Sequence, residues 1–186
     1  MSRIQIDLSG DVGAALRSGR LHRRLRSGLR FKNFFKLEHW RGGKLLQEFE
    51  VPNGIVDVGL HYLLETGFRS GTAVTTWYLG LVDNSGFSAF ANADTMSSHA
   101  GWNEFTTYSQ ATRPTWSADA AASRAMTNST TVDFSITGSG TLKGLFATSN
   151  NTKSGTTGTL WATAAFSPTA DVVNSDTIKA TYSISG

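Results

Sequence analysis

The chain has no cysteine and only three prolines in 186 residues. Without cysteine there can be no disulfide, no zinc–thiolate centre and no cysteine nucleophile, so stability must come from packing or assembly. No run approaches the roughly 18 apolar residues that a membrane-crossing helix requires. The opening MSRIQIDLSGDVGAALRSGR also lacks the apolar core of a secretory leader. The expectation is a protein made in the cytosol that stays there or leaves by lysis, with no membrane partner. Charge is sparse as well, at 17% against 39% hydrophobic residues. Gly, Ser, Thr and Ala fill the difference, a mixture that suits short strands and many turns better than helices. With aromatics at 11%, the chain is too rich in Trp and Phe to be disordered throughout.

The motifs of common chemistries are missing too. No G-x-S-x-G elbow gives the many serines a nucleophile context. Gly42-Gly43-Lys44 lacks both the upstream Gly and the following Ser or Thr of a phosphate loop. No dinucleotide fingerprint occurs. Asn128-Ser129-Thr130 and Asn150-Asn151-Thr152 match the glycosylation sequon, which is idle without secretion. The chain is therefore expected to be non-enzymatic, with no catalytic residue and no cofactor.

The net charge of +3 hides an asymmetry. Residues 1–50 hold 11 of the 17 Lys and Arg but only 5 of the 14 acids, leaving the remainder of the chain net acidic. The excess concentrates in RSGRLHRRLRSGLRFK, which supplies Arg17, Arg20, Arg23, Arg24, Arg26, Arg30 and Lys32. Leu21, Leu25 and Leu29 recur at helical spacing among them. Residues 1–32 thus read as an extended basic N-terminal arm that makes contact with an acidic partner surface. Nucleic acid is the weaker candidate, because single-strand binders interleave aromatics with the bases and only Phe31, Phe34 and Phe35 serve.

Residues 33–186 read as a mainly β domain, an antiparallel β-sandwich of jelly-roll-like type with one short helix. NFFKLEHW and KLLQEFEV flank Arg41-Gly42-Gly43, a hairpin signal because both glycines accept positive φ. Leu45, Gln47, Phe49 and Val51 fall on one face of the second strand. A helix is expected near 55–66, with Asn53 as N-cap, Gly67 as C-cap and Ile55, Val56, Gly59, Leu60, Leu63 and Leu64 as its apolar face. Strands are then expected in AVTTWYLGLV, around Trp102 and Trp116, and in TTVDFSIT, TLKGLFAT, TLWATAAF and TIKATYSI. GSGT, SNNTKSGTTGT and PTADVVNSD supply the turns.

The segment Asp83–Ala100 is the longest without a period. With Glu104 it gathers Asp83, Asp94 and His99, the one grouping that invites a metal or acid–base reading. The spacing matches no metal motif, and loop caps explain these residues as well, so no metal is expected. His22 lies in the arm and His39 in a strand, while His61 on the helix is expected to be partly buried and structural. Of the five tryptophans, Trp40, Trp77 and Trp161 fit core or strand positions. Trp102 and Trp116 divide evenly between core and exposed platform.

Three stretches carry a resemblance. NGIVDVGLHYLL (Asn53–Leu64), TTWYLGLVDNSGFSAFANADTMSSHAGWNEFTTYSQATRPTW (Thr75–Trp116) and LKGLFATSNNTKSGTTGTLWATAAF (Leu142–Phe166) resemble a family of small virion structural proteins of tailed bacteriophages, found among head decoration (capsid cement) proteins. The resemblance implies binding to the major capsid protein, a homotrimer or homodimer bridging neighbouring capsomers, and a place on the capsid surface. It implies no catalytic residues, and it does not extend to the arm. The alternative expectation is a tail or fibre-associated protein that binds a glycan or host surface through Trp102 and Trp116.

Overall fold

The computed structural model describes residues 31–186, a sandwich of two antiparallel sheets with one helix. The arm residues Arg17, Arg20, Leu21, Arg23, Arg24, Leu25, Arg26, Leu29 and Arg30, with His22, lie outside the described residues. Lys32, assigned from sequence to the arm, is the first residue of β1 (Lys32–Arg41), where its carbonyl accepts the Ser185 hydroxyl at 3.1 Å.

β1 and β2 (Lys44–Pro52) form the expected hairpin, turning through Gly42 and Gly43 at φ 55° and 78°. β1 alternates strictly, sending Asn33, Phe35, Leu37 and His39 inward. β2 is the long outer edge of this sheet. It carries Glu48 and Glu50 outward, ends on Pro52, and is bulged opposite His39 and Trp40, three devices that discourage edge-to-edge pairing. The bulge pairs Leu45 with Trp40 rather than leaving it in phase with Gln47. Leu45 is therefore exposed, while Phe49 reaches the core as expected.

After β3 (Gly54–Ile55) comes α1 (Asp57–Phe68), two residues later than the sequence suggested. Gly54 and Ile55 are taken by pairing with β10 (Leu160–Val172), so Val56, with no side-chain cap, precedes the helix. Asn53 instead donates to the Tyr182 hydroxyl at 3.3 Å. Gly67 lies inside the helix, and the chain leaves through Ser70 at φ 60°. Gly59 sets the approach of α1 to the sheet, since a Cβ there would stand 2.6 Å from the Trp161 carbonyl oxygen. The helix thus packs through Val56, Gly59 and Leu63, and Leu60 and Leu64 face outward, contrary to the expected apolar face.

The remaining strands are β4 (Trp77–Asp83), β5 (Asn103–Phe105), β6 (Thr115–Trp116), β7 (Ala125–Thr127), β8 (Val132–Ser135), β9 (Gly140–Thr148) and β11 (Thr177–Ser185). One sheet runs β2-β1-β11-β7, with β8 also on β11. The other runs β3-β10-β9-β4-β5, with β6 also on β4. β10 outruns its expected end, passing Pro168 by a bulge between Ala165 and Ala170 before reaching Val172. Proline can sit there because the bulged segment needs no ladder N–H. Both inner faces supply the main core, for example Phe49 stacked on Phe166 with centroids 5.2 Å apart.

The second sheet is buried on both faces. The aperiodic segment after β4 folds back over its outer side, seating Met96 and Trp102 against Val82, Phe146 and Leu160. Continuous burial from Gly144 to Thr148 in β9 follows from this double cover.

Candidate functional site

The groups that sequence reasoning set aside for chemistry are each engaged in bonding. Asp83 closes a turn by accepting the Ser85 amide at 2.8 Å. Asp94 accepts the Trp102 indole N–H at 3.0 Å and the Ala91 amide at 2.9 Å. His99 stacks on Trp102, with ring centroids 4.0 Å apart, and its Nδ1–H donates to the Trp102 carbonyl. Glu104 takes both oxygens to Arg113, at 2.9 and 2.8 Å. No group of three or more His, Asp or Glu that could hold a metal occurs among the described residues. His61 is exposed rather than partly buried.

Three polar centres were not legible beforehand. Asp176 is buried and accepts His39 Nε2–H at 2.8 Å, Arg41 Nε–H and Nη2–H at 2.8 Å each, and the Val173 amide at 2.9 Å. The Arg41 guanidinium holds its carboxyl well below the usual carboxylate range, with the Val173 amide and His39 acting the same way against its burial. Arg113, itself 1% exposed, donates onward to the carbonyls of Asn150 and Gly155 and so fastens the 149–158 loop. Lys153 of that loop donates to the carbonyls of Thr106 and Tyr108 and lies 3.7 Å from the Tyr108 ring centroid. The third centre is Asn128, at one of the two sequons. It is buried and bonded to Trp116, Tyr182, Thr130 and Ala180. The signal that could have found the two charged centres is charge inside turn segments. A carboxylate in NSD or a lysine in NNTKSG has little reason to be there unless it reaches a partner.

The first open feature among the described residues is a cleft of about 690 Å³ at the end of the sandwich where β1 begins, within the range of small-ligand sites. Six aromatic residues line it, Phe31 at its entry among them. β4 and β6 pair Trp77 with Trp116, β10 supplies Trp161, β11 supplies Tyr182, and α1 adds Tyr62. Tyr62 meets Trp77 edge-on at 5.3 Å, and Trp77 lies 5.8 Å from Trp161. The Tyr62 hydroxyl accepts the Val74 amide at 2.8 Å, pinning the chain after α1 to the rim. Trp116 is 7% exposed and Trp102 is 1% exposed. Trp102 is buried beneath the aperiodic segment, so it presents no outward platform. Trp116 shows only its cleft-side edge.

The outward face of α1 is the second open feature. Leu60, Leu64 and Phe68 stand one turn apart and are 38%, 56% and 86% exposed. Apolar side chains aligned in this way on a surface mark contact with a partner more often than scattered single ones do. No helix among the described residues is long and apolar enough to cross a membrane. Comparison with protein-family models, curated proteins and solved structures gives no match.

Proposed function

We propose that the chain is a structural protein of a tailed-bacteriophage virion that decorates the assembled head shell. In this reading residues 1–32 grip acidic patches on major capsid subunits, and the β-sandwich lies on the shell as a homodimer or homotrimer bridging neighbours. The observation that carries it is the division of charge. Residues 31–186 contain ten Lys and Arg against twelve Asp and Glu, whereas the preceding thirty contain seven arginines and two acids. A cationic segment attached to a mildly acidic domain is drawn to an acidic surface while the domain itself is not. Repetition over a shell then adds many modest attachments into a strong one.

Two features of the described residues support a contact role over catalysis. The carboxylates and imidazoles with the strongest chemical potential hold loops and strands together, and the apolar stripe of α1 faces outward. The test is binding of purified protein to undecorated head shells. Removal of residues 1–30 is expected to abolish or sharply weaken occupancy, and occupancy equal to that of the full chain would overturn the reading.

A further inference from the structure

We propose that the aromatic cleft binds a small amphipathic carboxylate, with an alkyl or aryl body between Trp77, Trp116 and Trp161 and the carboxylate on Arg124. The surface of the cleft is mainly carbon. The indole N–H of Trp116 donates away to Asn128 and that of Trp161 to the Tyr182 hydroxyl, at 2.8 and 2.7 Å. The Tyr62 hydroxyl is likewise held by the Val74 amide. Trp116 and Trp161 therefore offer faces and carbon edges to an occupant rather than hydrogen bonds. A peptide would bring backbone amides, and the strand at the rim cannot pair them. β7 is closed on its outer side by the Asp119 backbone amide donating to the Thr127 carbonyl and by mutual backbone bonds between Ala122 and Ala125.

Among the described residues Arg124 is the only charged side chain lining the cleft, and it makes no ion pair with any of them. It is also placed at a conformational cost. Ser123 and Arg124 form the tip of the tight Ala122–Ala125 turn at φ 52° and 65°, where glycine would be the easier residue. Strain of this kind at the mouth of a cavity accompanies functional placement of a side chain. A guanidinium with no ion pair among the described residues, beside a mainly apolar cleft, suits an apolar body ending in a carboxylate.

The full chain is titrated with decanoate and with decanol below their aggregation limits, reading the emission of the tryptophans that line the cleft. Both are expected to bind at one saturable site. Affinity should rise with chain length, on the order of fourfold per methylene for full burial. Arg124→Gly should weaken decanoate about fivefold and leave decanol unchanged, with a thermal midpoint at or above that of the parent because the positive φ is relieved. Arg124→Gln should show the same preference without the backbone gain. Ala121→Trp, on the exposed lip of the cleft, should weaken both ligands. Absence of saturable binding to the parent, decanoate binding by both Arg124 variants as tight as that of the parent, or undiminished binding by Ala121→Trp would each overturn the assignment.

Discussion

Asn128 Oδ1 accepts the indole N–H of Trp116 at 2.8 Å, and the same oxygen accepts the Tyr182 amide at 2.8 Å. Its Nδ2 donates to the carbonyls of Thr130 and Ala180, so the amide uses its whole capacity of two donors and two acceptors. One buried side chain thereby ties β6, β11 and the chain entering β8 together behind the cleft wall. Asn128→Ala is expected to cost about 2–4 kcal/mol, because it strands several buried partners at once. Urea denaturation measures the loss, and freed Trp116 should shift the emission to the red.

Asp176 gives a pH dependence with a definite sign. Arg41 first, then the Val173 amide and His39, stabilise its carboxylate in the folded chain, so the folded carboxyl titrates below the unfolded one. Its contribution is complete above the unfolded value of about 4 and is lost as pH falls through the folded value. Asp176→Asn should therefore cost about 2–4 kcal/mol near neutrality. The difference from the parent should narrow as pH drops from about 5 towards 2. A difference constant across that range, measured as denaturation midpoints against pH, would contradict this account.

Local signals carried most of the fold. Gly42-Gly43 between two β-prone runs specified the first hairpin, and the alternation of Ile178, Ala180 and Tyr182 specified the buried face of β11. What failed was non-local. Asn53 looked like a helix cap until β10 claimed Gly54 and Ile55, and Leu60 and Leu64 looked buried until Gly59 fixed which face met the sheet. The candidate cleft was less legible still. Its rings come from five separated elements and from Phe31 before β1, and no window of sequence shows which tryptophans share a wall. Trp102, weighed as a platform, was hidden because an aperiodic segment has no pattern to reveal that it folds back as a cover.

The Arg113–Glu104 pair, with side chains 1% and 5% exposed, makes the 149–158 loop part of the rigid body. Arg113→Ala would leave Glu104 buried without its counter-charge and release the Asn150 and Gly155 carbonyls, at an expected cost of about 3–5 kcal/mol. Replacing the pair together, as Glu104→Gln with Arg113→Met, removes the uncompensated charge and should cost less than Arg113→Ala alone. Limited proteolysis should report the same order, with cleavage near Lys153 fastest in Arg113→Ala. The reverse order would mean that the pair's charges do not govern the loop.

The outward stripe of α1 separates domain contact from arm contact in the decoration reading. Leu64 and Phe68 contribute little to folding because most of their surface stays in water, so Leu64→Gln with Phe68→Gln should change stability by no more than about 0.5 kcal/mol. Buried in an interface, the same two side chains would contribute several kcal/mol together. The double variant should therefore lose shell occupancy at unchanged stability, and added salt should not restore it. Arm binding should behave oppositely, weakening as salt rises because exposed charges are screened over about 10 Å at 0.1 M. If the double variant decorates shells as well as the parent while arm removal abolishes binding, attachment resides in the basic segment and the stripe serves another contact.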